Sequence, residues 1–164
     1  MARIETDYLI VGAGAAGLAF ADALIAASDA DVVLVDRRHA PGGHWNDAYP
    51  FVRLHQPSAF YGVNSRILGG NSIDRAGPNA GFYQRVLEEH LLASGQVRFF
   101  GMSDWLDEGP AGCRLVSRLT GAATTVRVRR RIVDARYLET SIPATRRSFR
   151  LPASTTIYSG DGPT

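Results

Sequence analysis

Gly12-Ala13-Gly14-Ala15-Ala16-Gly17 narrows the folds open to this chain more than any other segment. It follows Tyr8-Leu9-Ile10-Val11, a short apolar run of the kind that parallel strands bury on both faces. It opens Ala15 to Ala27, an alanine- and leucine-rich stretch that reads as a helix. Ser28-Asp29-Ala30-Asp31 is a polar break, and Val32-Val33-Leu34-Val35 predicts a second buried strand ending at Asp36. Strand, helix and strand within about thirty residues make a βαβ unit, whose crossover is right-handed. Within it each glycine has a reason. Gly12 permits the tight turn out of the strand, Gly14 lets backbone approach a pyrophosphate, and Gly17 lets the helix pack against the strand. The N–H groups around Ala15 and Ala16 face the anion, and the helix dipole favours its charge. Asp36, nineteen residues beyond Gly17, is placed to accept hydrogen bonds from an adenosine ribose and to repel a 2′-phosphate. FAD and NAD share this pattern, so it does not choose between them.

Composition excludes more than it assigns. The chain has 164 residues, 45% hydrophobic and 21% charged, which suits one globular domain. A balance of 18 basic to 16 acidic residues, net +2, is too small a field to imply nucleic acid. Tyr8 to Ala27 is about as long as a membrane span. Its patterned glycines and Asp22 argue against one, and the acidic pair Glu5 and Asp7 ahead of it argues against a signal peptide. Cys113 is the only cysteine, which excludes an intrachain disulfide and fits a cytoplasmic setting.

Beyond the βαβ unit, residues 37–77 show little periodicity and many glycines, prolines and aromatics, a length of loop that points to function. Asn79 to Ser94 predicts an amphipathic helix with Phe82, Val86 and the row Tyr83-Leu87-Leu91 on one face, Asn79 as its cap and Gly95 at its end. Val97-Arg98-Phe99-Phe100 predicts a third parallel strand. Arg114 to Leu119 and Thr124 to Val128 alternate across Thr120-Gly121-Ala122-Ala123 and predict a β-hairpin, after which Ile132 to Ala135 return to the main sheet. Residues 141–164 read as loop or tail, leaving a domain over 1–140.

The segment after Asp36 is Arg37-Arg38-His39-Ala40-Pro41-Gly42-Gly43-His44-Trp45. With the glycine turn and the acid, its Gly-Gly-x-Trp run resembles the N-terminal FAD domain of the flavin-containing and Baeyer–Villiger-type monooxygenases, flavoproteins with two dinucleotide-binding domains. Tyr49-Pro50, Pro57-Ser58 and Tyr61 continue the likeness, although Phe51 stands where the family often has glycine. The likeness covers roughly residues 7–140 and is most specific over 10–61. It implies an α/β, Rossmann-like FAD/NAD(P)-binding fold, a parallel sheet with helices and a small antiparallel hairpin or meander. It implies FAD as cofactor, held by Gly12, Gly14, Ala15, Ala16, Gly17, Asp36 and Arg37. Gly43, His44 and Trp45 would lie toward the flavin, His55-Gln56 would approach the ring, and the backbone near Ser103 would meet the adenine.

No second glycine turn follows a strand and opens a helix, so NADPH is expected only for a full-length enzyme, with a further domain or chain supplying that site. The expected function is the FAD-binding portion of a monooxygenase-like oxidoreductase acting on a small-molecule substrate. The alternative is a non-catalytic FAD- or NAD-binding module. No residue stands out as catalytic. His44 and His55 lack companions at metal-ligand spacing. Arg127, Arg129, Arg130 and Arg131 read as the solvated face of a strand, with Val126 and Val128 inward. Asp161, in a late Gly-Asp step, resembles the residue that binds the ribityl chain in many FAD enzymes.

Overall fold

The computed structural model describes residues 2–47, 53–73, 78–109 and 113–136. Six strands form one sheet: β1 (Ala2–Val11), β2 (Val32–Val35), β3 (Val97–Phe100), β4 (Ser103–Asp107), β5 (Cys113–Ser117) and β6 (Ala123–Asp134), in the order β3-β2-β1-β6-β5-β4. β3, β2, β1 and β6 run parallel, while β5 pairs antiparallel with both β6 and β4. The expected βαβ unit is therefore present, with helix α1 (Ala15–Ala27) between β1 and β2. The four parallel strands end on one edge. β1 sends the chain to β2 on one side and pairs with β6 on the other, and such a reversal of strand order is where open α/β sheets hold ligands.

Alternation sorts the side chains into two cores. Ile10, Val32, Leu34 and Val97 face α1 and helix α2 (Pro78–Arg85), whose π-wound continuation Val86–Leu92 supplies Val86, Leu87 and Leu91. Leu9, Val11, Val33 and Val35 face the other way, onto Cys113, Leu115 and Val126. In a flat sheet β5 would stand roughly 14 Å from β2, three strand spacings away. Their shared core means that the sheet curls at β6, so that β5 and β4 cover the face the helices leave bare.

Two expectations need correction. The first strand begins at Ala2, because β6 pairs with it from Ala2 to Val11 and satisfies a polar stretch that hydrophobicity alone does not mark. The helix begins at Pro78, which puts Asn79 inside its first turn and not at its cap. Proline is suited to that start because its missing N–H is an orphan there anyway. The expected antiparallel hairpin is present as β5 and β6, and Ser103–Asp107 extends it to a meander, β4 pairing Ser103 with Ser117 and Asp107 with Cys113. Gly95 closes the helical segment as expected, with φ +76° and its N–H on the Leu92 carbonyl at 3.1 Å.

Two buried anchors hold the long loop. Asp22 of α1 is fully buried and accepts from the Ser65 N–H at 2.8 Å and the Ser65 hydroxyl at 2.6 Å. His90 Nε2 stands 2.8 Å from the same carboxylate, close enough for attraction but without hydrogen-bond alignment. The Tyr83 hydroxyl donates to the Tyr61 carbonyl at 2.7 Å. Burial, and then the nearby Tyr61, push the Tyr83 phenol up to about 12.

Candidate dinucleotide-binding site

Gly12 leaves β1 at φ +106°, a region that favours glycine, and its N–H bonds the Val35 carbonyl at 2.8 Å. A Cβ on it would lie 3.1 Å from the Ala135 carbonyl oxygen. Gly17 is the tightest position: a Cβ there would lie 1.9 Å from the Gly12 carbonyl oxygen, so the third glycine packs the helix onto the turn itself. Gly14 is the cap of α1 and contributes no side-chain bond; the first turn has no acidic residue. The first intrahelical bond is from the Leu18 N–H to the Gly14 carbonyl, at 3.0 Å, and helix geometry leaves the N–H groups of Ala15, Ala16 and Gly17 without intrahelical acceptors.

Asp36 is 8% exposed and braces the turn. Its Oδ2 accepts from the Ala13 N–H at 2.7 Å and its Oδ1 from the Arg38 N–H at 2.7 Å. Each carboxylate oxygen has a second lone pair for an incoming hydroxyl. Arg37 is exposed beside it. Ser103 proves to be a corner residue: it is buried, its N–H bonds the Asp36 carbonyl at 3.0 Å and its hydroxyl bonds the Gly101 carbonyl at 3.1 Å. Its N–H thus joins the start of β4 to the end of β2, and its hydroxyl closes the corner between β3 and β4.

The Gly42-Gly43 step lies on this turn. The Gly42 N–H bonds the Ala13 carbonyl at 2.8 Å, and a Cβ on Gly43 would lie 3.1 Å from the Gly14 Cα. Both glycines have positive φ, +115° and +59°. From here an aromatic row runs outward. The His44 ring centroid is 4.6 Å from that of Trp45, Trp45 meets Tyr61 edge-on at 5.8 Å, and Tyr61 meets His55 at 6.2 Å, with the Tyr61 hydroxyl 3.4 Å from His55 Nδ1. Trp45 and Tyr61 are half-buried against the helical core, whereas His44, His55 and Gln56 are exposed. The row brings residues 43–45 together with 55 and 61, while Ser103 lies with Asp36.

Sequence reasoning missed the far wall of the turn. Asp134 pairs with Val11 in register, and the Ala135 N–H bonds the Val11 carbonyl at 2.8 Å, which places 134–136 directly against Gly12. Arg136 grips Asp134 with two donors, Nε to Oδ1 at 2.8 Å and Nη2 to Oδ2 at 2.6 Å, and its Cζ lies 5.2 Å from the centre of the Trp105 ring. The Arg136 hydrogen bonds hold the Asp134 carboxyl below the usual carboxylate range. The only signal in the sequence is an acid and a small residue at the end of a strand.

Three of the four arginines of the basic cluster, Arg127, Arg129 and Arg130, pair with acids. Between the pairs Thr6–Val128 and Tyr8–Arg131 the β6 strand carries one extra residue, a bulge that lets both Arg129 and Arg130 reach Asp7, at 3.0 and 3.4 Å. Arg129 also bonds Asp31, and Arg127 bonds Glu5. Cys113 is buried with its thiol 3.5 Å from the Val126 carbonyl, and burial pushes that thiol up, away from reactivity. Among the described residues no helix is long and apolar enough to cross a membrane. Tyr49, Pro50, Phe51, Asp161 and the boundary at 140 lie outside the described residues.

Residues 10–64 match the model of the NAD(P)-binding Rossmann-like domain, the span that holds the turn, Asp36 and the aromatic row. The chain has a Rossmann-like α/β fold. This domain resembles the flavin-containing monooxygenase from Stenotrophomonas maltophilia, with TM-score 0.61 and 18% identity over 82% of this chain and 38% of that one. It resembles as well the polycyclic ketone monooxygenase from Thermothelomyces thermophila, with TM-score 0.60 and 19% identity over 82% and 23%. The bacillithiol disulfide reductase Bdr from Staphylococcus aureus gives TM-score 0.62 and 14% identity over 82% and 38%. At these identities the likeness is one of fold. In sequence the chain is 50% identical over 155 residues to the uncharacterized protein Rv2000 of Mycobacterium tuberculosis, covering 87% of this chain. The uncharacterized protein Mb2023 of Mycobacterium bovis matches equally. The chain spans 28% of the length of these relatives.

Proposed function

We propose that this chain is the FAD-binding portion of an FAD-dependent, monooxygenase-like oxidoreductase that acts on a small-molecule substrate, with the NADPH site supplied by a further domain or a second chain. The observation that carries the reading is the meeting of two glycine loops, Gly14 against Gly43, at the uncapped start of α1. The residues fit the group. A helix start with three N–H donors suits a pyrophosphate, and Cβ atoms at Gly14 or Gly43 would fill the gap between the loops. The lone pairs left on Asp36 suit ribose hydroxyls. Gly43, His44 and Trp45 lead from the phosphate turn to Tyr61 and His55, an edge-to-face aromatic row at the expected flavin end. FAD, when bound, supplies the electron transfer; the chain's residues bind it and orient it.

The test is the purified chain's absorption spectrum and titration with FAD and NAD. Flavin bands and tighter binding of FAD are expected, and Gly14→Val abolishes binding by filling the pyrophosphate path. A colourless protein that binds NAD and not FAD overturns the flavin assignment. Oxidation of NADPH by the chain alone would overturn the need for a further domain.

A further inference from the structure

We propose that Arg136 is a stacking platform for the adenine base of the bound dinucleotide, with Asp134 as its positioning residue. The inference rests on the reading that the glycine turn takes an adenine dinucleotide.

The in-plane donors Nε and Nη2 of the Arg136 guanidinium are taken by the two oxygens of Asp134, at 2.8 and 2.6 Å. Its Cζ lies over the Trp105 ring, 5.2 Å from the ring centre. The side chain is nonetheless 55% exposed. A guanidinium whose edge is gripped and whose charge is matched has little left to offer a phosphate. What it offers is a flat, polarisable, weakly hydrated face at low entropy cost, and such a face is what a purine stacks on.

Its position selects the adenosine end. The Arg136 backbone nitrogen lies 3.3 Å from where a Gly12 Cβ would stand, so the platform borders the phosphate turn. Trp105, beneath it, is two residues along β4 from Ser103, whose N–H is bonded to the Asp36 carbonyl. The platform is thus tied through β4 to the strand end that carries the ribose-binding acid, and stands away from the Trp45–Tyr61 row. A base joined to a ribose at Asp36 comes within reach of it.

ADP and inorganic pyrophosphate, titrated calorimetrically into the full chain and its variants, separate the possibilities. ADP contains the half common to FAD and NAD, so the result does not depend on which of the two is the cofactor. Arg136→Ala is expected to weaken ADP about five- to tenfold and leave pyrophosphate unchanged. Arg136→Lys, which keeps the charge and loses the plane, weakens ADP as much. Asp134→Ala, which frees the guanidinium to move, weakens ADP about twofold to threefold. Unchanged ADP affinity in Arg136→Ala, or an equal loss for pyrophosphate, overturns the platform while the dinucleotide reading stands. Failure of the unmutated chain to bind ADP overturns that reading and the platform with it.

Discussion

The glycine turn and the loop that follows Pro57 both approach the same site, yet different physics holds each in place. The turn is fixed by close approach of backbone to backbone: Gly17 on the Gly12 carbonyl, Gly43 on Gly14, and Gly12 on Ala135. The loop is fixed from below by side chains, Asp22 on Ser65 and Tyr83 on the Tyr61 carbonyl, with Ser58 and Gly70 bonded across its neck. A backbone contact tolerates almost no added atom. A side-chain anchor can be lost one hydrogen bond at a time.

The largest expected effect is on the turn. Gly17→Ala places a methyl group 1.9 Å from a carbonyl that cannot move without unmaking the βαβ unit. It should cost about 3 kcal/mol in a urea melt and remove nucleotide binding. Binding that survives with full stability would mean that the turn is softer than its contacts indicate. Asp22→Ala should cost about 2 kcal/mol, because it removes two charge-assisted hydrogen bonds that tie Ser65 to a buried carboxylate. Amide exchange should then rise over residues 58–72 and stay slow in β1 and β2. Equal loss of protection in both regions would show that the loop and the turn open as one unit.

Tyr83→Phe removes a single buried hydrogen bond and should cost about 1 kcal/mol. The phenol is raised from 10.0 to about 12, so its contribution is complete below pH 10 and is lost as pH rises through about 12. Ultraviolet titration should show one tyrosine ionising late, and Tyr83→Phe should abolish that late step. The smallest effect lies at the arginine pairs of β6. Partial burial pushes the Asp7 carboxyl up, but the Asp31 N–H, Arg129 and Arg130 outweigh it and leave it below 3.8. A depressed carboxylate stabilises above its ordinary value, and the gain disappears as pH falls through the lowered one. Asp7→Asn should therefore flatten the acid limb of a stability–pH curve and hardly change stability at neutral pH once salt screens the pairs.

Much of this domain was legible in the residues, for a local reason. The helix Ala15–Ala27 and the strand Val32–Val35 sit where apolar runs, alanine content and glycine punctuation put them. The helical face Phe82, Tyr83, Val86, Leu87 and Leu91 is buried as its spacing indicates. β4 escaped because Ser103-Asp104-Trp105-Leu106-Asp107 is mostly exposed and exists as a strand only by pairing with β5. The polar start of β1 escaped for the same reason, its partner being more than a hundred residues away.

The site divides along the same line. The sequence by itself determined the glycine turn, since glycine spacing, helix start and strand end are neighbours in the chain and their geometry is a matter of allowed φ and ψ. It determined the acid at the end of β2 as well. Only the tertiary structure decided that Gly43 lies on Gly14, that Tyr61 meets Trp45 and that Asp134-Ala135-Arg136 closes the far side of Gly12. Those contacts join segments apart in sequence that the curl of the sheet and buried anchors such as Asp22 bring together in space. Such long-range pairings arise from packing and leave no periodic trace in the residues that make them.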